Sequence, residues 1–370
     1  MKKVPLVLMV LSGLALLCLP ACQKNFGVTP TAPSLPTAVP SGTPTLTPTS
    51  TGTVNPLGPP LPTGTPTLTP TPQWTPTSTP TFTDINMTSG VTVLSTGSYQ
   101  FGCVHIGGSA VVTIQGAVTV FCTCFTLDAG ATITGVGMGY ISEEENSFSA
   151  CNLGRTYGPG SGLIDYGNGT AGSWNTGGGG GHGGAGGTDC DLNCNCAAGG
   201  VTYDNPIHPT QMGSGGASPS ASTCSPFSCG GGLLWIVVYN PTLNQVSPAT
   251  VNGTIDMSGG WGCFDCGPNQ ESGSGGAGGG LLIEASTING SGYLSANGGN
   301  DTFYGGGGSS GAGGGGGIIS LIGNTTGFTG NLSVSGGAGA PNQGGSSCQA
   351  INENGSSGSQ TITAAPTSGY

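Results

Sequence analysis

From Asp84 to about Asn146 the apolar residues recur every 21 positions. Ile85, Ile106 and Leu127 form one column, and Val91, Val112 and Ile133 a second. Tyr99, Val120 and Ile141 form a third, and Val93 with Ile114 a fourth. Cys103 and Cys124 keep the same spacing. Each column lies in a locally alternating run such as Val91-Thr92-Val93, the period of a strand. A repeat of short strands with Gly and Ser at the corners predicts an all-β solenoid, a right-handed parallel β-helix in which like residues stack inside. A rod of this kind has no obligatory pocket, so function is to be sought on its faces and loops.

After Asn146 strands alternate with glycine tracts. Three segments share a layout: Gly230-Gly231-Gly232 before Leu233–Val238, Gly278-Gly279-Gly280 before Leu281-Leu282-Ile283, and Gly315-Gly316-Gly317 before Ile318–Ile322. Each leads to a second strand of the type Gly253-Thr254-Ile255-Asp256, followed by a Gly-Gly pair. These second strands lie 39 and 38 residues apart, nearly two 21-residue coils. The tracts 177–181, 183–184 and 305–317 are too long for turns. They predict polyglycine-II-like cover on one flank of the rod, because an isolated polar backbone must find partners. Disordered loops are the alternative, since glycine loses the most entropy on ordering.

The rest of the chain reads as an address and a stalk. Lys2-Lys3 precede an apolar run from Val4 to Leu17 that is too short to span a membrane. Leu19-Pro20-Ala21-Cys22 resembles a bacterial lipobox. The resemblance implies cleavage before Cys22, lipid (diacylglycerol and a fatty acyl chain such as palmitate) on that cysteine, and anchoring to the cell envelope; Gln23 suits the outer membrane of a diderm cell. An ordinary secretory signal is the alternative. Residues 23–83 are rich in Pro, Thr, Ser and Gly, with TPTLTPT at Thr43 and again at Thr65. They carry no apolar period and cannot bury a core. At ~3.1 Å per residue such a stalk reaches roughly 190 Å. The domains expected are therefore a leader over 1–22, a stalk over 23–83, a β-helix over 84–365 and a tail over 366–370.

Composition removes whole classes of partner. Gly is 76 of 370 residues, about three times the usual share. Charged residues are 5%, against ~25% in most chains. Without the leader, Lys24 and Arg155 face 15 acids, a net charge of −13. Nucleic acid needs clustered cations and is excluded. Once Cys18 and Cys22 are set aside, 12 of the 14 cysteines remain, an even number suited to disulfides outside the cell. Candidates are Cys103, Cys124, Cys190, Cys194, Cys196, Cys224, Cys229, Cys263 and Cys266. Pairing stays open, with Cys224/Cys229 and Cys263/Cys266 local enough to close loops. Zinc on Cys263-x-x-Cys266 is the weaker reading, for no second CxxC completes a site.

A second resemblance follows the order of motifs. Gly135–Tyr140, Gly158–Gly162 and Gly177–Gly187 come first, then Tyr203-Asp204 through Pro206 and Pro209 to Gly213–Gly216, then the GGG-LL strands. The string resembles a family of glycine-rich β-helical surface proteins found across bacteria, plants and protists. That likeness implies a fold and a cell-surface setting and no defining enzymatic activity. The cysteines and the insertion 142–157 depart from it.

Few residues suit catalysis. Parallel β-helices also host polysaccharide lyases and hydrolases, so that class is the alternative function. A lyase usually needs Arg or Lys, and the body has only Arg155, beside Glu143–Glu145. A glycoside hydrolase needs two placed carboxylates. Asp189, Asp191, Asp256, Asp265, Glu284 and Asp301 are the candidates, and none sits in an Asp-Asp pair near a histidine. His182, alone in its glycine tract, is expected to bond to backbone, and His105 to face solvent. Asp189 and Asp191 are weak metal candidates. Calcium is thus the one cofactor in question, although the EF-hand glycine and glutamate are missing. Trp261, Tyr293, Phe303 and Tyr304, with Phe264, are candidate rings for glycans. The expectation is a non-enzymatic lipoprotein for structure, display or adhesion, with glycans or other surface proteins as partners and carbohydrate or matrix binding as the second reading.

Overall fold

The computed structural model describes residues 82–141, 158–165, 176–190, 196–217, 228–240, 245–262, 273–301, 311–340 and 353–364. All of them fall in the unit Trp74–Tyr370. The leader, Cys22, nearly all of the stalk, Glu143–Glu145, Arg155, Asp191, Cys194, Cys224, Cys263, Phe264, Asp265, Cys266, Phe303 and Tyr304 lie outside the described residues.

Among the described residues the strands form one largely parallel, curled sheet of 15 strands, with two small two-stranded pairs beside it. The sheet winds as a solenoid. In the second coil Cys103–Ile106 makes one face, and Val111–Cys122 makes two more, bending at Gly116. A one-residue register shift in the pairing with Val91–Gln100 falls at the same bend, where φ at Gly116 is +84°. A bulge with glycine in the left-handed region is a standard way to bend a strand.

Alternation carries through to packing. Val112, Ile114, Val118 and Val120 point inward and are buried, while Thr113, Gln115, Ala117 and Thr119 are only half-buried. Beyond the first coil, interior positions are extended by branched apolar residues from coil to coil. One column runs Tyr99, Val120, Ile236, Ile283, Leu321, Ile362. Another runs Thr92, Val112, Ile133, Ile255, Leu294, Leu332. Burying each such side chain contributes roughly 1.5–3 kcal/mol, so the stacked core holds the body together.

Three details of the expected register change. The first coil is shorter, so Ile85 pairs with Val104 and Met87 with Ile106. Likewise Thr92 and Leu94, not Val91 and Val93, align with Val112 and Ile114. Val91 is left outside at 72% exposure. The third column does not continue to Ile141, because the chain leaves the solenoid after Thr134 and Ile141 packs with Cys229 instead. Ile236 takes the place beside Val120. Finally, each 38–39-residue unit is one coil and not two, since Thr254–Asp256 pairs directly with Tyr293–Ser295, and that strand with Asn331–Ser333.

The surplus residues of each unit are the glycine tracts. They leave the solenoid at one corner, after the strands Thr132–Thr134, Thr254–Asp256, Tyr293–Ser295 and Asn331–Ser333. They return just before Leu233–Asn240, Gly280–Asn289, Ile318–Asn324 and Ser359–Thr363. The stretches Gly275–Gly280 and Gly313–Gly317 are buried, and the tracts are bonded to one another. Gly275 and Gly278 donate to Ala312 and Gly315; Gly276 and Gly279 donate to Gly260 and Met257; Ala277 donates to Ser214. Neighbouring tracts thus meet every third residue, and successive N–H groups point to different neighbours. Three residues per turn is the period of an extended left-handed helix without internal hydrogen bonds. The close approach demands glycine: a Cβ on Gly314 would overlap the carbonyl oxygen of Gly276, and one on Gly279 that of Gly232.

Candidate functional site

The densest group of chemically capable side chains is His182, Tyr203, Asp204 and Ser214, and the glycine tracts enclose it. His182 is 0% exposed. Its Nδ1 lies 2.8 Å from the Gly278 carbonyl oxygen and its Nε2 3.2 Å from Asp204 Oδ2. Both ring nitrogens are thus engaged, one with backbone and one with a carboxylate. The Tyr203 ring packs on the imidazole at 4.9 Å between centroids. Its hydroxyl donates to the Met212 carbonyl oxygen at 2.5 Å and lies 2.7 Å from Ser214 Oγ. Ser214 Oγ in turn accepts the Gly160 N–H at 3.0 Å.

Asp204 organises the loop that follows it. Its φ is +77°, an uncommon backbone state for a side-chain-bearing residue, in which Asp is one of the favoured types. Its carboxylate accepts N–H groups from Asn205, Thr210 and Gln211 and the Thr210 hydroxyl, all within 3.1 Å. Burial pushes its pKa up, but the bonds from His182 and from the Thr210, Gln211 and Asn205 backbone outweigh this and bring it from 3.8 down to about 2. Burial, and to a lesser degree the nearby Asp204 charge, raise the pKa of Tyr140, whose hydroxyl bonds to Gln211. Burial raises that of Tyr203 as well.

The sign of the Asp204 shift fixes its pH dependence. A carboxylate with a folded pKa below its unfolded value contributes stability above the unfolded value and loses it as pH falls through the folded one. The Asp204 side chain is 2% exposed, and the shift corresponds to roughly 2 kcal/mol. Denaturant melts at pH 7, 4 and 2 are expected to show a drop in stability between pH 4 and pH 2. Asp204→Asn should be less stable at pH 7 and should lose that part of the acid limb.

Among the described residues, Asp256, Asp301 and Asp189 each hold hydrogen bonds of their own. Asp256 Oδ1 accepts the Ser258 N–H and the hydroxyls of Ser258 and Ser295. Asp301 Oδ2 accepts the Gly311 N–H, and Asp189 Oδ2 the Gly177 N–H, each at 3.0 Å. Glu284 is buried on its strand, which raises its pKa, with His208 pulling the other way. His105 lies on the outer side of the coil, 3.1 Å from Asn86 Oδ1 and 2.6 Å from Asp128 Oδ2. Among the described residues no group of three or more His, Cys, Asp or Glu is placed to hold a metal.

Of the rings, Trp261 is 60% and Tyr293 39% exposed. Trp261 sits between Gly260 and Gly262, whereas Tyr293 opens a strand of the solenoid wall. Two disulfides are described. Cys103–Cys124 joins directly paired residues of adjacent coils, and Cys190–Cys196 closes a two-stranded turn. Cys229 is also disulfide-bonded. Cys122 is free and buried, with its thiol pushed up to about 12 by burial.

Sequence reasoning isolated His182 but gave Tyr203, Asp204, Gln211 and Ser214 no role. A usable signal was there. Asp204 is an acid in a chain nearly free of charge, and Asp-Asn-Pro is a turn sequence that lets the carboxylate collect backbone N–H groups. Compared with protein-family models, curated proteins and solved structures, the chain matches none.

Proposed function

We propose that this chain is a cell-surface lipoprotein with a structural, display or adhesive role. Lipid on Cys22 and a stalk over 23–83 would hold a right-handed β-helix, flanked by polyglycine-II-like segments, away from the envelope. The lipobox and the order of glycine motifs support this setting. One observation carries the non-catalytic reading. Among the described residues, the side chains most capable of acid–base work, His182 and Asp204, are buried and occupied by Gly278 and by the loop backbone at Asn205, Thr210 and Gln211. A general acid or base must reach a substrate proton within hydrogen-bond distance. Here backbone fills that position.

A carbohydrate- or matrix-binding role is the second reading, and the outward rings of Trp261 and Tyr293 favour it. Whole-cell fractionation and binding to polysaccharide arrays test both. The wild-type chain should enter the membrane fraction and Cys22→Ser should not, with neither releasing products from pectin, alginate or β-glucans. Binding to a glycan that falls at least tenfold in Trp261→Ala with Tyr293→Ala would establish the second reading. Turnover lost in Asp256→Asn or Asp301→Asn would defeat both.

A further inference from the structure

The first coil is hollow. A cavity of about 420 Å³ opens at that end of the solenoid, ringed by Ile85, Met87, Leu94 and Phe101 and floored by Ile133 and Ile236. The cause is legible in the columns. Where the next coils place Val112, Ile133 and Ile255, the first has Thr92. Where they place Val118, Leu234 and Leu281, it has Gly97. Two interior positions are therefore under-filled, and the apolar side chains of this coil are only partly buried. A repeat solenoid left open at its end exposes its core, and terminal caps are the usual remedy.

No described residue fills this mouth, and the chain itself arrives at its rim. Thr83 accepts the Gly102 N–H at 2.9 Å, and Asp84 accepts the Cys103 N–H at 2.7 Å and lines the mouth. Upstream of Phe82 the sequence is Pro, Thr and Ser as far back as Trp74-Thr75. Trp74 and Phe26 are the only aromatic residues between Cys22 and Phe82. Eight residues of extended Pro-rich chain reach ~25 Å, enough to fold back over a solenoid whose opposed sheets stand ~10 Å apart. An apolar cavity of ~150 Å³ already takes up benzene, so this one has room for an indole. Tethering places it at millimolar effective concentration.

We propose that the indole of Trp74 docks in this mouth and caps the solenoid. Residues 74–81 then belong to the body rather than to the stalk. A soluble hydrocarbon ligand would fit the same lining, and the experiment separates the two.

The test uses the full chain in three forms: wild type, Trp74→Ala and Trp74→Phe. An apolar dye that fluoresces on burial, 8-anilinonaphthalene-1-sulfonate, should stay dark with wild type. It should bind Trp74→Ala at about one per chain, and Thr92→Leu added to that variant should suppress the signal by filling the mouth. Emission of wild type minus Trp74→Phe isolates Trp74, and it should be blue-shifted and several-fold less quenched by acrylamide than a free indole. Equal dye binding by wild type and Trp74→Ala would mark the mouth as open to ligand and overturn the cap. A difference emission typical of solvent-exposed indole would overturn it too.

Discussion

Ile283→Asp is expected to leave the chain without a cooperative fold. Ile283 is fully buried and stands inside its column, between Ile236 and Leu321. The substitution removes about 1.5–3 kcal/mol of burial and adds a carboxylate with no partner. Either the charge is buried or it takes up a proton, at several kcal/mol. A domain stable by only 5–15 kcal/mol has little to oppose this, and a one-dimensional stack is broken at its centre. Circular dichroism and the melting transition report the outcome. The same change at Ile362, 58% exposed on the terminal strand, should cost under ~0.5 kcal/mol.

Gly314→Ala should be nearly as damaging, although it adds one methyl group. The new carbon would overlap the Gly276 carbonyl oxygen. That oxygen accepts the Gly299 N–H, and Gly314 itself donates to Gly299. Moving the oxygen aside disturbs a set of linked tracts, with ~1 kcal/mol at stake in each net hydrogen bond. Overpacking of a dense interior costs ~1–3 kcal/mol even among flexible side chains, and backbone yields less. A loss of about 3 kcal/mol or more is expected from denaturant titration. Gly90→Ala is the control: φ there is +90° but nothing lies within 4 Å of the added carbon. It should cost only the strain of a side chain in that region, ~1 kcal/mol.

Much of the solenoid was legible because its code is local. Cys103 with Cys124, Ile106 with Leu127 and Val112 with Ile133 keep the expected 21-residue offset, and alternation reports which residues face inward. The partner of Val120 was not legible. A column asks only for some branched apolar residue, and Ile141 meets that demand as well as Ile236 does. The choice between them depends on where the chain leaves the coil, and Gly135 marks that point only once the glycine tract is known to form a layer of its own. The short first coil was hidden for a related reason: Val91 and Val93 fit the pattern as well as Thr92 and Leu94. The knot at His182 was half legible. A lone imidazole among glycines announces a buried contact, but its partner is 22 residues downstream across a segment without periodicity.

The central claim is that the glycine tracts are an ordered layer bonded to the solenoid. Amide hydrogen exchange read by mass spectrometry tests it directly, because protection requires a bonded, closed backbone. Peptides covering Gly275–Gly280 and Gly313–Gly317 should be protected to within about tenfold of Leu281–Ala285 and Ile318–Ile322, in which the backbone pairs as a sheet. Complete exchange of the glycine peptides within seconds, while the strand peptides stay protected, would contradict it.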